Sequence, residues 1–158
     1  MISMKTTLSI LMVLTMLYAC GGGQTVPSDA VVTSTSDLNA NPSYDPERGE
    51  GKFTKVEVET AINEKLAHAG TKVYEVKCSA CHKLTDEKLV GPGWKGVTER
   101  FKPEWIMNFV TNTDAMLNKD PKAQAQLEIC LVRMPNQNVS DEDARNLYEF
   151  MRKNDSKK

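Results

Sequence analysis

The sequence predicts an all-α fold, and three observations predict it. Apolar residues recur at three- and four-residue steps in several stretches. Proline, serine and aspartate stand where such stretches begin, as helix starts require. No pair of stretches alternates polar with apolar at the period of two that paired strands show. The first stretch is "TKVEVETAINEKLAHAGTKVYEV", in which Ile62, Leu66, Ala69, Val73 and Val76 share one face and Gly70 interrupts it. In "FKPEWIMNFV", Pro103 sits near the first helical position ahead of Trp105, Ile106, Phe109 and Val110. "DPKAQAQLEICLV" opens with Asp120 as a cap and Pro121 behind it. In "SDEDARNLYEFMRKND", Ser140 and Asp143 fit a capping box and acids crowd the positive helix start. Ala144, Leu147, Tyr148 and Met151 then trace an apolar stripe, with Arg152 and Lys153 near the end. Four or five helices are expected, with a loop from about 83 to 101.

The chain has 158 residues, 40% hydrophobic and 26% charged, with a net charge of −1. That is ordinary for one folded domain and lacks the basic face that nucleic acid demands. The charge is uneven: residues 21–71 carry a net of −4, residues 72–110 a net of +2, and residues 111–158 balance. Aromatic residues are few, with two Trp, four Phe and four Tyr. So thin a core needs a staple.

Residues 1–19 read as a secretion signal, with Lys5 and then an uncharged run from Leu8 to Ala19. The run is shorter than the roughly 20 residues a spanning helix needs. It ends in "LYAC", followed by three glycines, which resembles the lipobox of bacterial lipoproteins. The resemblance implies that Cys20 is lipidated and becomes the mature N-terminus. From Cys20 to about residue 49 the chain is rich in Gly, Ser, Thr, Asn and Pro and is expected to be a flexible tether. A domain over 50–153 and a polar tail over 154–158 complete the expected organisation.

"KCSACHKL", residues 77–84, carries the chemistry. A structural zinc site needs two more ligands, and His68 and Cys130, singly placed, match that poorly. A thioredoxin-like pair needs a βαβ setting, whereas this chain reads as helical. A Cys78–Cys81 disulfide suits an oxidising compartment but leaves His82 unexplained. Covalent c-type haem attachment uses all three residues. One helical turn brings both sulfurs under two vinyl groups, and the adjacent imidazole is aimed at the iron.

Residues from about 60 to 153 resemble a class I mono-haem cytochrome c. That family has an N-terminal helix leading into CxxCH, a loop with a Gly-Pro pair, a ligand methionine and a C-terminal helix. The resemblance implies the cytochrome c fold, four or five helices around one covalent haem c. It implies that Gly70 and Tyr74 pack against Leu147 and Phe150 or Met151 of the last helix. In "LVGPGWKGVTER" it implies that the Pro92 carbonyl accepts a hydrogen bond from His82. It implies that Met134 in "RMPNQNVSDED", 52 residues past His82 and six before Ser140, is the second axial ligand. Met116 is the other loop candidate; Met107 and Met151 lie in helical stripes and are expected in the core.

A filled His/Met pair leaves no place for substrate and suits electron transfer, not catalysis. The expected function is therefore a non-enzymatic shuttle of single electrons between a membrane donor and an exported oxidoreductase. "DPERGEGKFTKVEVE" with "CLVRMPNQN" resembles bacterial cytochromes associated with nitrous-oxide reductase. Lys77, Lys83, Lys88, Lys95 and Lys102 lie in the basic third and could steer an acidic partner. The protein is expected in the cell envelope, facing the periplasm, as a monomeric domain on a lipid anchor. The rival readings are a haem peroxidase and a gas-sensing haem module with a displaceable sixth ligand. Cys130 reads as a small buried hydrophobe, His68 as a surface residue, and Trp94 and Trp105 as haem packing with an indole N–H turned to a propionate.

Overall fold

The structure is a computed structural model and describes residues 44–157. The signal segment, Cys20 and the tether up to residue 43 lie outside the described residues. Six helices follow in order: α1 (Glu64–Lys77), α2 (Val97–Arg100), α3 (Pro103–Thr111), α4 (Thr113–Lys119), α5 (Pro121–Cys130) and α6 (Asp141–Asp155). Among the described residues the only β pairing outside these is an isolated bridge between His82 and Lys88.

Helix starts follow the capping chemistry. Asn63 caps α1 by accepting from the Leu66 amide, Asp120 caps α5 from the Ala123 amide, and Ser140 caps α6 from the Asp143 amide. Pro103 and Pro121 occupy first-turn positions of α3 and α5, where no amide hydrogen is needed. The first turn of α6 holds Asp141, Glu142 and Asp143 and its last turn Arg152 and Lys153, each sign at the favourable end of the helix dipole.

The core is the contact of α1 with α6, and α3 and α2 also pack on α6. Leu147, Tyr148, Phe150 and Met151 of α6 bury into it with Trp105, Ile106, Met107 and Val110 of α3. Gly70 lies at the crossing. A Cβ there would stand 2.1 Å from the Asn146 carbonyl oxygen and 2.7 Å from the Phe150 Cβ. Asn146 and Phe150 are thus the residues Gly70 meets, while Leu147 and Met151 fill the core nearby. Tyr74 packs on Phe150 at 5.2 Å between ring centroids. Glu149, fully buried on α6, is held by Arg145 at 2.7 Å, Arg152 at 3.0 Å and the Asn63 amide at 3.3 Å.

Four expectations are corrected. Val76, placed on the apolar face of α1, is exposed, and the buried positions are Ala67 and Gly70. The 83–101 loop contains the short helix α2, whose start is held by Asp155 accepting from the Gly96 and Thr98 amides. The tail begins later than residue 154, because Asn154 and Asp155 remain in α6 and Asn154 donates to the Leu84 carbonyl. The segment from Tyr44 to residue 49 is not all tether. Tyr44 donates to Asp120, and the buried Asn108 side chain donates to the Arg48 carbonyl at 2.9 Å.

Candidate functional site

The CxxCH stretch sits where α1 ends. The Cys78 amide bonds to the Tyr74 carbonyl and closes the helix, and the Cys81 and His82 amides both bond back to the Cys78 carbonyl at 3.0 and 2.9 Å. The two cysteines therefore lie on a turn that continues α1, not within the helix. The Tyr74 hydroxyl donates to the His82 carbonyl at 2.7 Å, which ties the turn back to the α1–α6 crossing. The following loop returns onto the same turn: the Val90 and Gly91 amides bond to the Cys81 carbonyl, and the Trp94 amide to the Lys83 carbonyl.

These returns place Pro92 and Trp94 beside His82. His82 Nδ1 stands 2.9 Å from the Pro92 carbonyl oxygen. A carbonyl only accepts, so Nδ1 carries the proton and Nε2 is left with its lone pair. Burial lowers the tendency of this imidazole to take a second proton and outweighs the opposing Pro92 bond. The ring is thus held neutral, as a metal ligand must be. Gly91 presses against it: a Cβ there would fall 2.3 Å from His82 Cε1. Trp94 lies with its ring centroid 5.3 Å from that of His82 and 5.1 Å from that of Tyr74.

An apolar cleft of about 990 Å³, counted to its open mouth, begins at Cys81 and His82. Its lining also includes Trp105, Cys130 and Met134, so His82 and Met134 share one cavity. Phe101, Trp105 and Phe109 form a stacked aromatic wall, with successive centroids 4.0 and 5.2 Å apart. Cys78 is buried and is not among the residues that line the cleft, and burial pushes its thiol up to about 11. Among the described residues Cys78, Cys81 and Cys130 form no disulfide. Met134 is half-buried on the irregular loop between α5 and α6, which starts at Leu131 with φ 61°.

Other expected residues fall elsewhere. Met116 is fully buried in α4, a helix the sequence did not announce, and its sulfur accepts from the Glu50 amide at 3.0 Å. It is core, away from the cleft. Met107 is buried on α3 and His68 is exposed on α1. Trp105 lines the cleft, but its indole N–H donates to Asp120 at 3.1 Å and is not turned to a propionate. Among the expected lysines, Lys83 pairs with Glu87, Lys102 stands 3.9 Å from Glu47, and Lys77 and Lys88 donate to backbone carbonyls. Sequence reasoning missed Asp120 as a partner of Trp105, having read it only as a cap. It also missed the exposed apolar residues Leu89, Val90, Ile129, Leu131 and Val132, two of which, Val90 and Val132, line the cleft. The cleft also reaches Arg100.

A neutral buried imidazole, two cysteines on the turn beside it, a thioether and an apolar cleft define a helical domain built to hold a flat, apolar, metal-bearing group. The family model described as Cytochrome c matches residues 67–155, and the chain belongs to the cytochrome c family. Among solved structures it is similar to "Cytochrome c from rhodothermus marinus", at 30% identity and a TM-score of 0.66, over 68% of this chain and 92% of that one. An engineered form of that Rhodothermus marinus protein matches at 30% identity and a TM-score of 0.66, over 70% and 98% of the two chains. The same engineered protein bound to a carbene intermediate matches at 30% identity and a TM-score of 0.63. No curated protein matches the chain. The cofactor of the domain is covalent haem c and its activity is haem-based electron transfer. The residues present fit that group: the cleft is lined by Trp94, Phe101, Trp105, Phe109 and Leu127 with His82 and Cys81 at its edge, and Gly91 leaves His82 no bulk beside it.

Proposed function

We propose that this protein shuttles single electrons in the cell envelope through a haem c that Cys78 and Cys81 would hold, with His82 and Met134 as the side chains that would ligate its iron. One observation carries the reading. His82, its Nδ1 taken by Pro92, shares an apolar cleft with Met134, which stands on a loop outside the helices. When bound, the haem would supply a one-electron couple, and ligation by a thioether together with an imidazole would favour its ferrous state. Pro92 fixes the ring plane and tautomer of His82. Tyr74 fixes the turn that carries it, and Trp94 packs beside the ring. The stacked wall of Phe101, Trp105 and Phe109 keeps the cleft apolar.

The docking face lies around the cleft mouth. There the exposed Val90 and Val132 meet solvent, and Lys88 spans to the Ile129 carbonyl at 3.1 Å. Such a face suits a transient partner, with basic residues raising the encounter rate. The proposed partners are a membrane donor and an exported oxidoreductase, with nitrous-oxide reductase as the first to test. A lipid at Cys20, a residue outside the described ones, would hold the domain at a membrane facing the periplasm. No helix among the described residues is long and apolar enough to cross a membrane.

A pyridine haemochrome assay on protein from cells competent in cytochrome c maturation tests the attachment; a colourless product ends the proposal. Met134→Ala then tests the ligand. The expected result is loss of the methionine–iron band of the oxidised form and a lowered potential. The half-buried position of Met134 on an irregular loop favours one second reading, a module whose methionine yields to a gas. Carbon monoxide binding to the reduced parent protein at neutral pH would select that reading over the shuttle.

A further inference from the structure

Asp120 is fully buried, and its carboxylate is ringed by donors. The Ala123 amide reaches Oδ1 at 2.8 Å, the Trp105 indole N–H reaches Oδ2 at 3.1 Å, and the Tyr44 hydroxyl donates to Oδ2 from outside. No cationic side chain bonds to it among the described residues. Its neighbours Lys119 and Lys122 turn outward instead, to Glu50 at 3.2 Å and Glu47 at 2.9 Å. A carboxylate buried without a countercharge costs several kcal/mol unless hydrogen bonds and a helix N-terminus compensate it. Here both do. Compensation by neutral donors leaves the negative charge in place, in a medium that screens it poorly.

Position gives that charge a consequence. Trp105 lines the cleft on one side and holds Asp120 with its N–H, so one indole separates the carboxylate from the space the haem fills. Reduction adds one electron to the haem and makes its charge more negative. A fixed negative charge nearby opposes that change. We propose that the Asp120 carboxylate sets the reduction potential of the haem by holding it low. It does so as a positioning residue that also keeps Trp105 turned into the cleft wall. This rests on haem-based electron transfer and not on Met134 being the ligand. Tyr44 closes the arrangement from the surface, and its own hydroxyl is held protonated by burial and by the bond to Asp120.

The sign of the shift separates charge from structure. Loosening the wall would admit water, which stabilises the more highly charged ferric form and lowers the potential. Removing the charge raises it. The test is an anaerobic redox titration of the haem-loaded full chain, with parent, Asp120→Asn and Tyr44→Phe side by side at low and high salt. Asp120→Asn is expected to raise the midpoint potential, and the difference is expected to persist at 1 M salt, where the Debye length is about 3 Å. Tyr44→Phe removes a donor but leaves the charge, so its potential is not expected to rise, and a rise overturns the proposal. A haem-loaded Asp120→Asn protein with a potential equal to or below the parent overturns the proposal. If that variant yields no haem protein, Asp120→Ser decides, since serine keeps a cap for α5 and carries no charge: a rise supports the proposal and any other result overturns it.

Discussion

The α carbon of Gly70 on α1 lies against the backbone of Asn146 on α6, so close that a Cβ would stand 2.1 Å from the Asn146 carbonyl oxygen. The obstructing atoms belong to a helix backbone and cannot swing aside as a side chain would. Gly70→Ala must therefore push α1 from α6, and with it the Tyr74–Phe150 contact and the Tyr74 bond to the His82 carbonyl. Overpacking of this kind costs about 1–3 kcal/mol. In a domain of this size each 1 kcal/mol lowers Tm by about 4–8 °C. A thermal melt of the haem-loaded protein checks it; an unchanged Tm would show that the helices can part freely.

Gly91→Ala acts on the site itself. Its methyl would stand 2.3 Å from His82 Cε1, so either the ring or the loop carrying Pro92 must move. Both movements strain the 2.9 Å contact that fixes the imidazole. Loss of such an outer bond weakens metal binding about 10–100-fold. The haem is held covalently, so the expected result is not its loss but a weaker bond from His82 to the iron, read as a shifted visible spectrum and midpoint potential, while far-ultraviolet circular dichroism keeps its helical shape. An unchanged spectrum and potential would mean that His82 has room the structure does not give it.

Alkaline pH should find Tyr44. Burial first, and then the bond and charge of Asp120, raise its pKa well above the ordinary value near 10. The folded state thus keeps a proton that the unfolded chain gives up above that value. Stability from this source is complete below about pH 10 and is lost as pH rises beyond it. Tyr74 and Tyr148 are raised by burial and act in the same direction. Denaturant melts between pH 8 and 11 should therefore lose stability with pH in the parent and less steeply in Tyr44→Phe. Equal slopes would show that Tyr44 is not engaged in solution.

What could be read beforehand follows from how local each signal is. CxxCH, the capping Ser140 and the Pro121 start of α5 are each set by residues within four positions, and the structure places the helix starts there. Gly70 was legible as an interruption needing a close approach; of the partners the resemblance implied on α6, Phe150 is met, while Asn146 stands where Leu147 was expected, because a family pattern fixes a face more firmly than a contact. Helix α4 left no signal, since Asn112 makes no side-chain cap bond to it, and Met116 consequently looked like a loop residue. The segment from Tyr44 to Phe53 looked like tether at its start because its composition is polar, and what orders it lies more than 50 positions away.

Asn108 shows what that distant ordering is worth. Its buried amide accepts from the Phe53 amide at 2.9 Å and donates to the carbonyls of Arg48 and Phe53 at 2.9 and 3.0 Å. One side chain thus answers three backbone groups of the segment that leads into the domain. In Asn108→Ala those groups must either stay unpaired, at about 1–3 kcal/mol each, or turn to water. Turning to water is open to them, because the segment runs along the surface, so the loss should appear as local release and not as global unfolding. A loss of about 1–2 kcal/mol raises the open population about 5–30-fold. When opening is fast, cleavage tracks that population. Trypsin should therefore cut after Arg48, Lys52 or Lys55 faster by a similar factor, while cleavage at Lys65 and Lys72 within α1 stays at the parent rate. Equal acceleration at both sets of sites would mean that Asn108 supports the whole domain and not this segment alone.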